Sequence, residues 1–276
     1  MSGPFSLELW NNIKTQSTYK TNNFRSIKDE TTKTFGVLHS FDQQGNLEKQ
    51  YYPLTKKSNL VGVKWRDSEK NFSSRGVSDS TCDLFGQEVF RTSPSNSVII
   101  ASGELDALSI YQMMSDYSKK SNSKYEVTPV VSAIVGESGA LRQYQNNYDF
   151  LNKFDKIYIC PDQDQAGQDA LHKVAKVLPK NKLFVIELPK KDANVMLEKD
   201  LHQEFISRFF KAKSYSPAGI LGSDVLYDKI LDRALIPKIR FPEFLDPLNK
   251  MLAGGIPLGY IVNIMAGSGS RKIYCS

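Results

Sequence analysis

Cysteine and histidine are scarce in this sequence, with three of each among 276 residues. Cys82, Cys160 and Cys275 are widely separated and form no Cys-x-x-Cys pair, so the sequence predicts neither a disulfide framework nor a structural zinc site. No apolar run approaches the roughly 18 residues that cross a bilayer, and the first residues lack the pattern of a signal peptide. These absences predict a cytoplasmic protein with no zinc and no membrane partner.

The charge balance is positive, with 36 Lys and Arg against 30 Asp and Glu, a formal net charge of +6. Hydrophobic residues make up 40% and charged residues 24%, which is typical of a soluble globular protein with a substantial core. Clustered Lys and Arg bind phosphate backbones by releasing counterions. The composition therefore favours a polyanionic partner such as a nucleic acid.

The pattern of the chain predicts five parts. Residues 1–30 are polar and have no sustained period, which predicts a loose leader. Residues 31–92 predict a small mixed α+β subdomain with a hairpin and a third strand. The other predicted parts are a catalytic α/β domain over 93–192, a helical linker over 193–245 and a final segment over 246–276.

The central part alternates strands with helices. Its strands are short and continuously apolar, which is typical of a parallel sheet covered on both faces. The fold class is therefore α/β. The predicted strands cover 98–101, 130–132, 157–160 and 183–188, and the predicted helices cover 106–117, 166–178, 194–210 and 222–235.

Acidic residues follow two of these strands. Ligands of open α/β sheets bind beyond the carboxyl ends of strands. Asp162 and Asp164 are two residues apart, so in an extended segment they point the same way, and a neighbouring strand would bring Glu104 close to them. Three close carboxylates repel unless a cation joins them, and Mg²⁺ takes oxygen ligands. Taken singly, Glu104 or Asp106 could instead balance a helix dipole, and Asp164 could cap a helix.

Basic residues alternate ahead of the acids. Lys64 and Arg66 would share one face of a strand, with Lys70 just beyond them. Positive groups there could hold the phosphates of a nucleotide during in-line attack. The alternative is a solvated hairpin edge whose lysines deter aggregation. Nearby aromatic residues either stack on bases or belong to the core: Tyr51, Trp65 and Phe72.

Three motifs in order resemble those of a known family. Gly103-Glu104-Leu-Asp106-Ala-Leu108 and Asp162-Gln-Asp164-Gln-Ala-Gly167 resemble the Toprim signature of primases, topoisomerases and certain nucleases. Lys191-Asp192-Ala-Asn194 resembles an element of phage primase-helicases and their mitochondrial relatives. The resemblance implies Mg²⁺ or Mn²⁺ on catalytic Glu104, Asp162 and Asp164, with Asp192 beside the site and Asp106 structural or auxiliary. It also implies that Lys64, Arg66 and Lys70 contact nucleotide and template.

The function that this resemblance implies is that of a DNA primase. Such an enzyme joins ribonucleoside triphosphates into short RNA primers on a single-stranded DNA template during replication, here in a phage-infected cell. A replicative helicase and a second copy of the chain are the further partners implied. Two alternatives stay open: a Toprim nuclease, and a non-catalytic module for DNA binding or ring assembly.

The sequence differs from the family pattern at two places, a missing zinc module and an incomplete phosphate loop. The sequence has no residues for the zinc module that full-length phage primases carry. Near its end, Ala266-Gly-Ser-Gly-Ser270 approaches a phosphate loop, but Arg271 and Ile273 stand where a working loop has its last Gly and its Ser or Thr. We therefore expect a truncated start of a helicase domain without helicase activity. A frame change is one explanation, because a shifted reading of suitable synonymous codons gives Gly-Lys-Ser-Thr.

Overall fold

The computed structural model describes residues 4–121, 126–215 and 237–259. The chain forms two compact units, residues 1–215 and residues 216–276. The predicted α+β subdomain and the predicted catalytic domain both lie in the first unit. Among the described residues, no helix is long and apolar enough to span a bilayer.

The predicted leader is helical and packed. Helix α1 (Leu7–Gln16) begins at Ser6, whose side chain accepts a hydrogen bond from the amide of Leu9 at 3.1 Å. Trp10 is buried with Leu38 and Val63 in a small core. The prediction of a loose leader failed because apolar residues of this segment pack into cores: Phe5 and Ile13 join Trp10, and Ile27 is buried in a second core.

An antiparallel sheet follows, with strand order β1-β2-β3-β4. The predicted hairpin and third strand are confirmed, whereas the fourth strand was not predicted. Gly45 adopts a φ of +83° in the hairpin turn, a conformation that favours glycine. The elements are α2 (Asp29–Phe35), β1 (Leu38–Phe41), β2 (Leu47–Lys56), β3 (Asn59–Asp67) and β4 (Phe72–Gly76).

A second sheet has the strand order β6-β5-β7-β8-β9, with the first four strands parallel and the last antiparallel. This confirms the predicted α/β class. Its strands are β5 (Ser97–Ala101), β6 (Val130–Ser132), β7 (Lys156–Cys160), β8 (Leu183–Val185) and β9 (Lys213–Ser214). Its helices are α3 (Glu104–Lys120), α4 (Glu137–Asn146), α5 (Tyr148–Asn152), α6 (Gln165–Val174), α7 (Ala193–Glu198) and α8 (His202–Phe210).

The parallel sheet separates two cores. Val98 and Ile100 point to one face, into a core shared with α4, α5 and α6. Ile99 and Ala101 point to the other face, into a core shared with the antiparallel sheet and with α3, α7 and α8. Burial on both faces explains why these strands are apolar throughout.

The segment predicted as one helix over 194–210 forms α7 and α8. The chain turns between them at Asp200, which has a φ of +54°. The amide of Leu201 there donates to the carbonyl oxygen of Met196 at 2.9 Å. Polar residues at the break do not interrupt the apolar period, so the sequence pattern alone did not reveal it.

The second unit is described over residues 237–259. Strands β10 (Lys238–Ile239) and β11 (Ile256–Pro257) pair in antiparallel fashion, with helix α9 (Asp246–Met251) between them. Asn249 is buried and makes hydrogen bonds to the amide and the carbonyl of Phe241 at 2.8 and 2.9 Å. The predicted helix over 222–235 and the glycine-rich loop over 266–273 lie outside the described residues.

Candidate active site

The predicted acids lie at the carboxyl ends of neighbouring parallel strands. Ala101 of β5 and Cys160 of β7 are direct partners in the sheet. Glu104 begins α3 three residues after Ala101, and Asp162 follows two residues after Cys160. The strand register therefore brings the two acidic motifs to one edge of the sheet.

Asp162 is held by its backbone. The Ser102 hydroxyl donates to the carbonyl oxygen of Cys160 at 3.2 Å and accepts from the amide of Asp162 at 3.0 Å. Gly167 packs so closely against this turn that a Cβ there would lie 2.2 Å from the carbonyl oxygen of Asp162. Ser102 and Gly167 thus fix the place where the Asp162 side chain leaves the strand, and sequence reasoning did not identify Ser102.

Asp164 and Asp192 both cap helices. Asp164 is exposed, and its Oδ1 accepts a hydrogen bond from the amide of Gly167 at 2.9 Å, at the start of α6. Asp192 Oδ1 accepts from the amide of Val195 at 2.8 Å, at the start of α7. The capping role considered for Asp164 is therefore present, and each carboxylate keeps a second oxygen for another partner.

Asp106 is a partly buried member of the acid cluster, which we define as Asp106, Asp162, Asp164 and Asp192. Burial, followed by the charges of Asp162 and Asp192, raises the pKa of Asp106 to about 7. Its Oδ1 accepts a hydrogen bond from the amide of Asn194 at 3.1 Å. Burial also raises the pKa of Asp162, and the charges of Asp192 and Asp164 add to that rise. The carboxylates are thus close enough to repel one another.

Lys64 reaches across from β3 to Glu104. Its Nζ lies 2.5 Å from Glu104 Oε1 and also donates to the carbonyl oxygen of Ile134 at 2.8 Å. The exposed fractions of the two side chains are 14% and 9%. The antiparallel sheet therefore places a cation beside the first predicted catalytic acid.

Arg66 and Lys70 lie farther along the same hairpin. Arg66 shares a sheet face with Lys64, as the alternation predicts. Burial raises the pKa of the neighbouring Tyr52 well above its usual range, and the positive charge of Arg66 opposes part of that rise. Lys70 is exposed in the β3–β4 turn, with a φ of +71°. The structure brings Lys64 to the acids and leaves Lys70 at the tip of the hairpin.

Two of the three aromatic residues near the basic strand belong to a core. Tyr51 and Trp65 are partly buried against the core that contains Trp10, with ring centroids 6.4 Å apart. Phe72 differs, because 55% of it is exposed. His172 on α6 is exposed, and its Nδ1 lies 2.9 Å from the hydroxyl of Tyr215.

The donor set of the acid cluster is suited to a divalent cation. It consists of oxygen ligands only, which Mg²⁺ prefers, and the pKa values of Asp106 and Asp162 are raised first by burial and then by the charges of neighbouring carboxylates. Within the described part of the chain, no three His, Cys, Asp or Glu side chains are already placed to hold one ion. Glu104 is turned towards Lys64, so a shared ion requires these side chains to converge.

A cavity of about 360 Å³ adjoins the cluster, within the usual range for small-molecule sites. It lies at the carboxyl ends of β5, β6 and β7, between α4 and α6. Ser102, Asp162, Asp164 and Lys173 contribute its polar groups, and Tyr144 contributes an aromatic wall. Asp162 and Asp164 therefore face a space that can admit part of a small ligand.

Comparison with known proteins locates this site within a known domain. Residues 99–197 match the family model described as Toprim-like. The chain is 29% identical over 230 residues to the DNA helicase/primase of Enterobacteria phage T3, which covers 83% of this chain and 38% of that protein. The chain therefore spans well under half the length of this curated relative.

Solved structures of primases are also similar to this chain. The primase fragment of the bacteriophage T7 primase-helicase matches with a TM-score of 0.60 and 28% identity, covering 75% of this chain and 78% of that one. A chain from the complex of T7 lagging-strand DNA polymerase with primase domains bound to an RNA/DNA hybrid and dTTP matches with a TM-score of 0.63 and 26% identity, covering 78% and 100%. The DnaG primase catalytic domain bound to single-stranded DNA shares the fold, with a TM-score of 0.53 and 15% identity over 88% and 87% of the two chains.

Proposed function

This chain carries a Toprim-like domain and is homologous to the phage T3 DNA helicase/primase, and on that premise we propose that it is a DNA primase. Its reaction is the joining of ribonucleotides into short RNA primers on single-stranded DNA. The observation that carries the proposal is the pairing of β5 with β7, which sets Glu104 and Asp162 at one edge of the sheet opposite a basic hairpin.

Toprim domains generally depend on a divalent metal, and Glu104, Asp162 and Asp164 are the residues that we propose hold Mg²⁺ or Mn²⁺. Asp106 and Asp192 stand beside them and add negative charge. A bound divalent cation lowers the pKa of the attacking 3′-hydroxyl and offsets the charge of the leaving pyrophosphate.

The chain's own residues supply binding and orientation. Lys64 neutralises Glu104, and its ammonium lies where it could bind a phosphate of a nucleotide at this edge of the sheet. Arg66 faces the same side of the sheet and can hold a second phosphate or the template backbone. Fixed charges that are already in place limit the reorganisation needed during in-line attack.

One assay separates this proposal from its alternatives. The protein is incubated with Mg²⁺, single-stranded DNA and labelled ribonucleotides, and both the RNA products and the DNA are examined. Labelled oligoribonucleotides that disappear in Glu104→Gln support a primase. Cleaved DNA without RNA indicates a nuclease, and bound but unchanged DNA indicates a non-catalytic binding module.

A further inference from the structure

Phe72 is an exposed aromatic residue at the rim of the candidate active site. It lies at the start of β4, an edge strand of the antiparallel sheet, and 55% of it is exposed. The neighbouring aromatic residues Tyr51 and Trp65 pack against a core instead. A single exposed ring is common on a protein surface, so the feature that distinguishes Phe72 is its place beside the basic hairpin and Glu104 rather than its exposure.

The position of the ring is fixed by the residues around it. Arg66 is the direct partner of Phe72 in the β3–β4 register. Lys64 Nζ lies over the ring, 4.7 Å from its centroid, and the same ammonium pairs with Glu104. One lysine therefore links the ring to the acid at the start of α3.

Three basic residues of the β3–β4 hairpin lie near the ring in the strand register or in the sequence. Lys64 lies over it, Arg66 lies beside it on β3, and Lys70 precedes it by two residues in the turn. Within the described ranges, neither Arg66 nor Lys70 has an ion-pair partner, so both charges remain available. In a nucleic acid strand, phosphates flank each base on both sides, whereas the phosphates of a free nucleotide extend from one side of its base.

We propose that Phe72 stacks on an unpaired base of single-stranded DNA while Arg66 and Lys70 bind the adjacent phosphates. The inference rests on the proposed function and adds to it a contact that positions the template beside the acids. Aromatic stacking tolerates any base, so Phe72 contributes affinity rather than sequence preference. The basic groups contribute the salt-dependent part of binding.

The test is the affinity of the whole chain for a single-stranded oligonucleotide carrying one 2-aminopurine, measured without nucleotides over a range of salt concentrations. Loss of one stacked base in Phe72→Ala weakens binding about 5- to 150-fold. The salt dependence of Phe72→Ala stays that of the wild type, whereas Arg66→Ala lowers its slope by about one. Phe72→Trp retains binding, and Phe72→Leu, which keeps an apolar side chain without a π-face, loses it.

Phe210→Ala is the matched control. Phe210 on α8 is 67% exposed and contacts the ring of Tyr117, and its removal leaves DNA affinity unchanged. Wild-type affinity in Phe72→Ala or in Phe72→Leu overturns the stacking contact. A raised KM for ribonucleotides in Phe72→Ala with unchanged DNA affinity also overturns it, because Phe72 would then contact the base of a ribonucleotide and not a base of the DNA.

These outcomes are separable from failure of the proposed function. A wild-type protein that makes RNA primers while Phe72→Ala binds DNA normally is a primase without this contact. A wild-type protein that binds DNA through Phe72 but makes no RNA keeps the contact and loses the proposed activity. Thermal unfolding of each variant shows that the comparison is made between folded proteins.

Discussion

At the scale of single residues, the pair formed by Lys64 and Glu104 joins the two sheets of the first unit. Both side chains are largely buried, with 14% and 9% exposed, so each depends on the other for compensation of its charge. A buried pair of this kind stabilises little compared with apolar residues, yet removing one partner leaves an isolated charge. The pair therefore links the stability of the fold to the state of the active site.

We expect Lys64→Ala to lower the free energy of unfolding by about 3 kcal/mol, because Glu104 is left buried without a partner. Millimolar Mg²⁺ should restore part of this loss by supplying the missing positive charge. Denaturant unfolding with and without Mg²⁺ measures both effects. Lys119→Ala is the control, since Lys119 and Glu30 form an exposed pair whose loss is expected to cost less than about 1 kcal/mol. An equal loss in the two variants would contradict the account.

His39 is the buried histidine of the antiparallel sheet. Burial lowers its pKa from 6.5 to about 4. Its Nε2 lies 3.0 Å from Gln50 Nε2, and the oxygen of that side-chain amide, Oε1, accepts a hydrogen bond from the hydroxyl of Tyr52. The amide therefore donates to a neutral imidazole, and a protonated ring would lose this acceptor.

The depressed pKa predicts a pH dependence of stability. The unfolded chain takes up a proton on His39 near pH 6.5 while the folded chain stays neutral, so stability falls as the pH drops from 6.5 to about 4. The shift corresponds to about 3 kcal/mol. His39→Gln removes this titration. The difference in unfolding free energy between the wild type and the variant should therefore change by about 3 kcal/mol between pH 6.5 and pH 4. A difference that stays constant with pH would refute the assignment.

At the scale of elements, two glycines near the starts of helices have opposite environments. A Cβ on Gly167 would lie 2.2 Å from the carbonyl oxygen of Asp162, whereas a Cβ on Gly136, before α4, would meet nothing within 4 Å. Gly136 also has a φ of −62°, which any residue adopts. The first turn of α6 therefore requires glycine at position 167 for close packing against the Asp162 carbonyl, whereas the position before α4 does not require glycine.

Gly167→Ala is expected to cost about 1–3 kcal/mol of stability by overpacking this turn. It should also impair RNA synthesis, because the backbone that carries Asp162 must shift. Gly136→Ala should stay within about 0.5 kcal/mol of the wild type. Thermal unfolding and primer assays on both variants provide the check, and a tolerated Gly167→Ala would disprove the close packing.

Local pattern was enough to predict the elements that carry the acids. Strands β5 and β7 are short apolar runs that end directly before acidic motifs, and this signal is independent of distant contacts. Glu104 and Asp162 could be placed at one edge of the sheet because parallel strands share a direction. The helix after β5 was predicted over 106–117 and covers Glu104–Lys120.

Other features depend on contacts between distant parts of the chain. Asn194 is buried, and its Nδ2 donates to the carbonyl oxygen of Arg25 at 3.1 Å and to the hydroxyl of Ser109 at 3.0 Å. Its backbone amide donates to Asp106 Oδ1. These residues are far apart in sequence, and no local period indicates that they meet. The pairing of Lys64 with Glu104 likewise requires the antiparallel sheet to cover the parallel one, which the sequence pattern does not determine.

At the scale of the whole molecule, the first unit contains every core cluster found among the described residues. It also contains the acid cluster and the basic hairpin. We therefore expect a fragment of residues 1–215 to fold alone and to retain RNA synthesis. Its Tm should equal that of the transition in which the first unit unfolds in the full chain. Calorimetry and a primer assay on the fragment provide the measurement, and an unfolded fragment would show that the second unit is required.

The most direct test of the whole account is the incorporation of labelled ribonucleotides on single-stranded DNA by the wild type, Asp162→Asn and Asp169→Asn. Asp169 is an exposed acid on α6 that accepts a hydrogen bond from Gln165 at 2.9 Å and lies outside the cluster. Because loss of an outer-sphere partner of a metal already costs about 10- to 100-fold, loss of Asp162 is expected to reduce product at least about 100-fold. We expect Mg²⁺-dependent RNA from the wild type and Asp169→Asn and almost none from Asp162→Asn. Equal product from all three proteins would contradict the proposed role of Asp162.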